Sequence, residues 1–131
     1  MRYKIKKETK PTLPTFGKYK AVAVHNQEID GKTIARDACV GTTLSPAAME
    51  GLMMAVGHVV MRRLRMGDKV RLKGFGLLKL EIESDKVDDP KQFRAKNHIR
   101  GVRLHFIPES EGGSPELYKD ITFERAKGID F

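Results

Sequence analysis

Residues 67–76 read Gly67-Asp68-Lys69-Val70-Arg71-Leu72-Lys73-Gly74-Phe75-Gly76, and this stretch decides the fold. Gly67 suits the left-handed position that ends a helix. After it the apolar period becomes two. Val70 and Leu72 face one way, and Lys69, Arg71 and Lys73 the other, as in a short half-buried strand. Gly74-Phe75-Gly76 then reads as a tight turn, where glycines supply positive φ or let a backbone N–H approach another group closely.

Upstream, Ser45 is a good N-cap and Pro46 fits the first helical position, where its missing N–H costs nothing. The helix is predicted to run to about Met66. Arg62, Arg63 and Arg65 lie in its last turns, where cations favour the helix dipole. Between Leu52 and Met61 only Gly57 and His58 interrupt the apolar residues. A helix apolar nearly all round must be buried nearly all round. This predicts homodimerisation through the helix, with a buried central helix in a monomer as the alternative. Before it, Asp30 caps a short helix over about 31–40, with Ile29 as a staple, and Gly41 ends it. Residues 3–8 (YKIKKE) and 19–24 (YKAVAV) read as strands separated by Pro11, Pro14 and Gly17.

Downstream, Leu78, Leu80 and Ile82 alternate with Lys79, Glu81 and Glu83. A second alternating strand carries Val102, Leu104 and Phe106, with Arg103 and His105 on its other face. Residues 83–101 between them are too polar for a core of their own, so they read as a projecting hairpin or a disordered loop. The tail from Pro108 starts as a linker and ends in a strand over Ile121–Glu124 that pairs with the N-terminal ones.

The 131 residues carry a net charge of +8, which points to a polyanionic partner. Residues 1–20 hold seven basic side chains against one acid, residues 62–73 six against one, and residues 84–103 six against three. Residues 104–131 reverse the sign, with three against six. Cys39 is alone, which rules out an intrachain disulfide and fits a reducing compartment. The basic N-terminus lacks a following apolar segment, so it does not read as a signal peptide, and the run 52–61 is too short to cross a bilayer. His25, His58, His98 and His105 show no metal-ligand spacing, and Gly74-Phe75-Gly76 lacks the Lys-Ser/Thr of a P-loop. No enzyme, cofactor, metal or small-molecule substrate is expected.

The order of helix, longer capped helix, Gly-Asp turn, short strand, Gly-Phe-Gly, alternating strand, polar arm and returning strand resembles the bacterial HU and integration host factor family of histone-like DNA-binding proteins. Leu44-Ser45, Gly67-Asp68, Val70-x-Leu72-x-Gly74-Phe75-Gly76 and Phe106-x-Pro108 carry the match, over roughly residues 30–108. The extra strands at both ends resemble HU-related variants of Bacteroides-type bacteria. The resemblance implies an α+β fold: an intertwined homodimer with a helical base, a β-saddle and protruding β-arms that wrap the minor groove. It divides the chain into a basic strand extension (1–29), an HU-like domain (30–108) and a linker with a terminal strand (109–131). It further implies a cytoplasmic, nucleoid-associated protein whose partner is double-stranded DNA.

Affinity for duplex DNA comes mostly from Lys and Arg on phosphates. The candidates are Lys69, Arg71 and Lys73 on the saddle, the backbone of Gly74 and Gly76, and Lys86, Lys91, Arg94, Lys96, Arg100 and Arg103 on the arm. In the family a proline at the arm tip wedges between base pairs and kinks the duplex. Pro90 lies near that position, with Phe93 as a second wedge. Here, however, Pro90 follows Asp88-Asp89 where the family prefers Arg-Asn, and carboxylates are repelled by phosphates. Weaker bending than in the relatives is the expectation. Two rival readings stand beside this one. An HU-like protein-interaction scaffold with weak or no DNA binding is favoured by the acidic tail and the aspartates. Binding of RNA or single strands would call for exposed aromatics, and the arm offers only Phe93.

Overall fold

A computed structural model describes residues 1–127. The chain divides into two compact units, residues Asp30–Leu117 and a second unit of Met1–Ile29 with the described residues from Tyr118 onward.

In the larger unit, α1 (Gly31–Ala38) begins at Asp30, whose side chain accepts from the Thr33 N–H at 2.9 Å. That bond holds the Asp30 carboxyl below its ordinary pKa. Helix α2 (Pro46–Arg65) starts on Ser45, whose hydroxyl accepts from the Ala48 N–H at 3.1 Å, with Pro46 in the first turn. Its C-terminus closes as a Schellman motif. Gly67, at φ 95°, donates to the Leu64 carbonyl at 3.0 Å, and the Asp68 N–H reaches back to the Arg63 carbonyl at 3.1 Å. Arg63 and Asp68 also form an ion pair at 3.6 Å.

After this stop come three antiparallel strands, β1 (Val70–Leu72), β2 (Gly76–Ser84) and β3 (Ile99–Pro108), in the order β1-β2-β3. Leu72 pairs with Gly76 across a three-residue turn, and the Phe75 N–H donates to the Leu72 carbonyl at 2.9 Å. The β2–β3 hairpin runs in register from Gly76↔Pro108 to Glu83↔Gly101, then jumps to Ser84↔Ile99. Arg100 is therefore the extra residue of a β-bulge.

Alternation along β2 and β3 separates two faces. The pairs Lys79↔His105 and Glu81↔Arg103 share the polar one; Leu78↔Phe106, Leu80↔Leu104 and Ile82↔Val102 share the apolar one. The apolar face is not covered: Ile82, Val102 and Leu104 are all more than half exposed. Helix α2 repeats the pattern. Met49, Met53, Gly57 and Val60 are half-buried and Leu64 is buried, a spacing of three and four that defines one packed stripe. Leu52, Val56 and Val59 form a second stripe that is exposed. Ala35 and Leu64 are the buried apolar side chains of this unit among the described residues.

The smaller unit is a three-stranded sheet. Strand β4 (Arg2–Lys7) lies between antiparallel β5 (Tyr19–Val24) and parallel β6 (Glu124–Arg125). The expected terminal strand over Ile121–Glu124 is thus reduced to two residues and shifted toward the C-terminus. It still pairs with the N-terminal strand, in the register Arg2↔Glu124 and Tyr3↔Arg125.

Candidate nucleic-acid interface

Strand β1 presents its cations as the alternation requires. Arg71 is exposed between half-buried Val70 and Leu72, and Lys69 and Lys73 are exposed on either side. Lys69 and Lys73 make no ion pair among the described residues. Arg71 does: its Nη1 lies 3.4 Å from Oε1 of Glu109.

The two glycines of the turn have different duties. Gly74 sits at φ 82° with open space where a side chain would be. Its N–H donates to Oε2 of Glu109. Gly76 is buried, and a Cβ there would meet the Phe106 ring at 2.5 Å and the Ile107 carbonyl oxygen as well. Phe106 stacks in turn on Phe75, with ring centroids 4.7 Å apart. Gly76 therefore permits packing of the hairpin base, and its backbone is taken up by pairing with Leu72 and Pro108.

The cations of the β2–β3 hairpin and its closing segment fall into two groups. Lys86, Lys91 and Lys96 are exposed and make no ion pair among the described residues. The three arginines are engaged within the arm. Arg94 donates through Nη1 to the carbonyls of Lys91 and Phe93, each at 2.9 Å. Arg100 Nε lies 2.5 Å from Oδ1 of Asp85, which raises the guanidinium pKa further. Arg103 reaches Glu81 at 3.8 Å and Glu83 at 3.9 Å, and Glu81 also meets Lys79 at 3.6 Å and His105 at 3.9 Å.

The segment between the arm strands is ordered by its own contacts. The Asp89 carboxylate accepts from the Lys91 N–H at 2.9 Å and caps a 3-10 turn over Pro90–Gln92, so Pro90 occupies the turn's first position. Phe93 is half-buried, with its ring 5.3 Å from that of His98. His98 Nδ1 accepts from the Arg94 N–H at 2.8 Å, and its carbonyl accepts from the Asp85 N–H at 2.8 Å. Of the two sequence readings for this region, the hairpin therefore describes the backbone, closed by a folded cap and a single helical turn at Ala95–His98.

Sequence reasoning missed the acidic partners Glu109, Asp85, Glu81 and Glu83. Strand alternation places Glu81 and Glu83 on one face, and only the cross-strand register supplies Arg103 opposite. Nothing local signals that Glu109 reaches Gly74. Among the described residues no group of three or more His, Cys, Asp or Glu side chains is placed to hold a metal ion. No helix among them is long and apolar enough to cross a membrane.

Two helices, a short strand flanked by exposed cations and a long hairpin with exposed lysines near its closing segment make up the larger unit. A family model described as an HU domain fused to wHTH, Ig, or glycine-rich motif matches residues 1–125. The chain belongs to this HU-HIG family. The mixed α+β architecture, with two small sheets and few helices, is compatible with an HU-like domain. The family suggests an HU-like, DNA-binding architectural role, a structural type and not an enzyme family. A comparison with proteins of curated function finds no match.

Proposed function

We propose that this HU-HIG protein is a non-enzymatic, histone-like architectural protein that binds double-stranded DNA as a homodimer, along the minor groove and the phosphate backbone. The observation that carries the reading is a set of exposed cations on one HU-like unit that have no ion-pair partner among the described residues, Lys69 and Lys73 beside the saddle strand and Lys86, Lys91 and Lys96 on the arm. Lysines held at the surface without a carboxylate partner are available to phosphates. Arg71, Arg94, Arg100 and Arg103 contribute where a phosphate competes with their present partners. Gly74 contributes through its N–H, and Gly76 by shaping the turn.

The homodimer rests on the uncovered apolar surface. Leu52, Val56 and Val59 on α2, and Ile82, Val102 and Leu104 on the arm strands, are 45–64% exposed within a unit that buries very little. A second copy that buries both strips would supply the missing core. This is the intertwined arrangement with protruding arms that the HU resemblance implies. The arm tip favours modest bending. Pro90 is exposed but stands beside the Asp89 carboxylate, which phosphates repel, and Phe93 is held against His98.

A second reading, an HU-like scaffold for protein partners with weak or no DNA binding, is favoured by the carboxylates that neutralise Arg71, Arg100 and Arg103. Titration of a fluorescent duplex with the protein, repeated across salt concentrations, separates the two. A DNA binder should lose affinity with a log–log slope of about −0.9 per phosphate contact. No binding to duplex at low salt would leave the scaffold reading in place.

A further inference from the structure

The Glu109 carboxylate occupies both donors of the saddle turn. Oε2 accepts the Gly74 N–H, and Oε1 faces the Arg71 guanidinium at 3.4 Å. A backbone N–H beside an arginine is a donor pair that phosphate oxygens take on a duplex. The glycine at φ 82° has no side chain over it, so the N–H can be approached closely. Beside this pair lies an open cleft of about 450 Å³, lined by Lys73 and Glu111 as well as by Arg71, Gly74 and Glu109. Glu109 is held there from its own backbone too, because its N–H donates to the Phe75 carbonyl at 3.0 Å.

We propose that Glu109 is an internal stand-in for a DNA phosphate: it fills the Gly74–Arg71 anion seat in the free protein, must leave when DNA binds, and so holds the affinity of the saddle down. The proposal rests on the DNA-binding reading given above. It assigns that interface a built-in competitor. The carboxylate side chain is 29% exposed and the arginine 59%, so the pair is weak enough for a phosphate to exchange with it.

The test is a duplex titration of wild type, Glu109→Gln and Glu111→Gln, each with its thermal unfolding curve. The glutamine of Glu109→Gln keeps an acceptor for the Gly74 N–H and removes the charge. Glu111 lines the same cleft without holding either donor, so Glu111→Gln controls for general charge removal. Glu109→Gln should bind roughly two- to fivefold more tightly than wild type, the range expected when an exposed ion pair no longer competes. Its salt slope should steepen by up to about 0.9 per seat. Glu111→Gln should gain clearly less. Arg71→Gln should cost more affinity in the Glu109→Gln background than in wild type. Equal gains from the two glutamate substitutions, or a Glu109→Gln protein that binds no better than wild type, would overturn the internal competitor and leave the DNA reading intact. Failure of wild type and Glu109→Gln alike to bind at low salt would overturn both.

Discussion

Replacing Gly76 by alanine tests the geometry on which the arm is launched. The added Cβ would lie 2.5 Å and 2.8 Å from two carbons of the Phe106 ring, and against the Ile107 carbonyl oxygen. Ordinary contact begins about 1 Å farther out, so either the ring or the strand must move. The ring has little room to retreat, because it is stacked on Phe75 at 4.7 Å. Ile107 belongs to the β2–β3 ladder, opposite Leu77. Overpacking of this kind costs typically ~1–3 kcal/mol, and a clash with paired backbone belongs at the upper end. For a domain of this size each kcal/mol shifts Tm by about 4–8 °C, so a loss of 3 kcal/mol is roughly 12–24 °C. Gly74→Ala is the natural comparison. Its site is open, and the cost is that of a left-handed alanine at φ 82°, about 1–2 kcal/mol. Circular dichroism melts at one fixed protein concentration would rank the variants, since any subunit association would make Tm depend on concentration. A Gly76→Ala protein melting within about 3 °C of wild type, or above Gly74→Ala, would refute the close-packing argument.

Val56→Asp should convert the protein to a monomer or leave it unfolded. In a two-fold interface the change occurs twice, and each unpaired buried carboxylate costs several kcal/mol; sedimentation equilibrium that finds an unchanged dimer would contradict the α2 interface. Asp30 lends the fold acid-dependent stability. Its folded pKa lies below the ordinary 3.8 because the carboxylate caps the Thr33 N–H. Its contribution is complete above that value and is lost as pH falls through the lower folded one. Asp30→Asn should abolish that share, so denaturant curves of the two proteins should converge as the pH drops below 3.8; a gap that stays constant would argue against the cap. On the arm, Lys96→Gln should lower the salt slope of duplex binding by about 0.9 if it makes one phosphate contact. Arg100→Gln should lower it less, because Asp85 already holds Arg100, and the reverse order would mean that the ion pair dissolves on DNA.

The local frame is legible from neighbouring residues alone. Ser45-Pro46 start α2 and Gly67-Asp68 stop it. The period of two after Gly67 yields β1, and the run Gly74–Gly76 yields its turn. Each depends on bonds between residues a few positions apart, so each was legible. The terminal strand was legible only as a tendency, because its position depends on which residues β4 can pair.

The cations of the candidate site are visible in the sequence as a list, with no way to rank them. Tertiary structure ranked them. Register places Arg103 opposite Glu81, a bulge leaves Arg100 beside Asp85, and the hairpin's closure brings Glu109 to a glycine 35 residues away. Such pairings span the chain, and charge counts say nothing about them. The same holds for Gly67–Gly76: its sequence announces a saddle strand with three cations. Only the folded backbone decides that Gly76 makes room for Phe106, while Gly74 and Arg71 hold the Glu109 carboxylate.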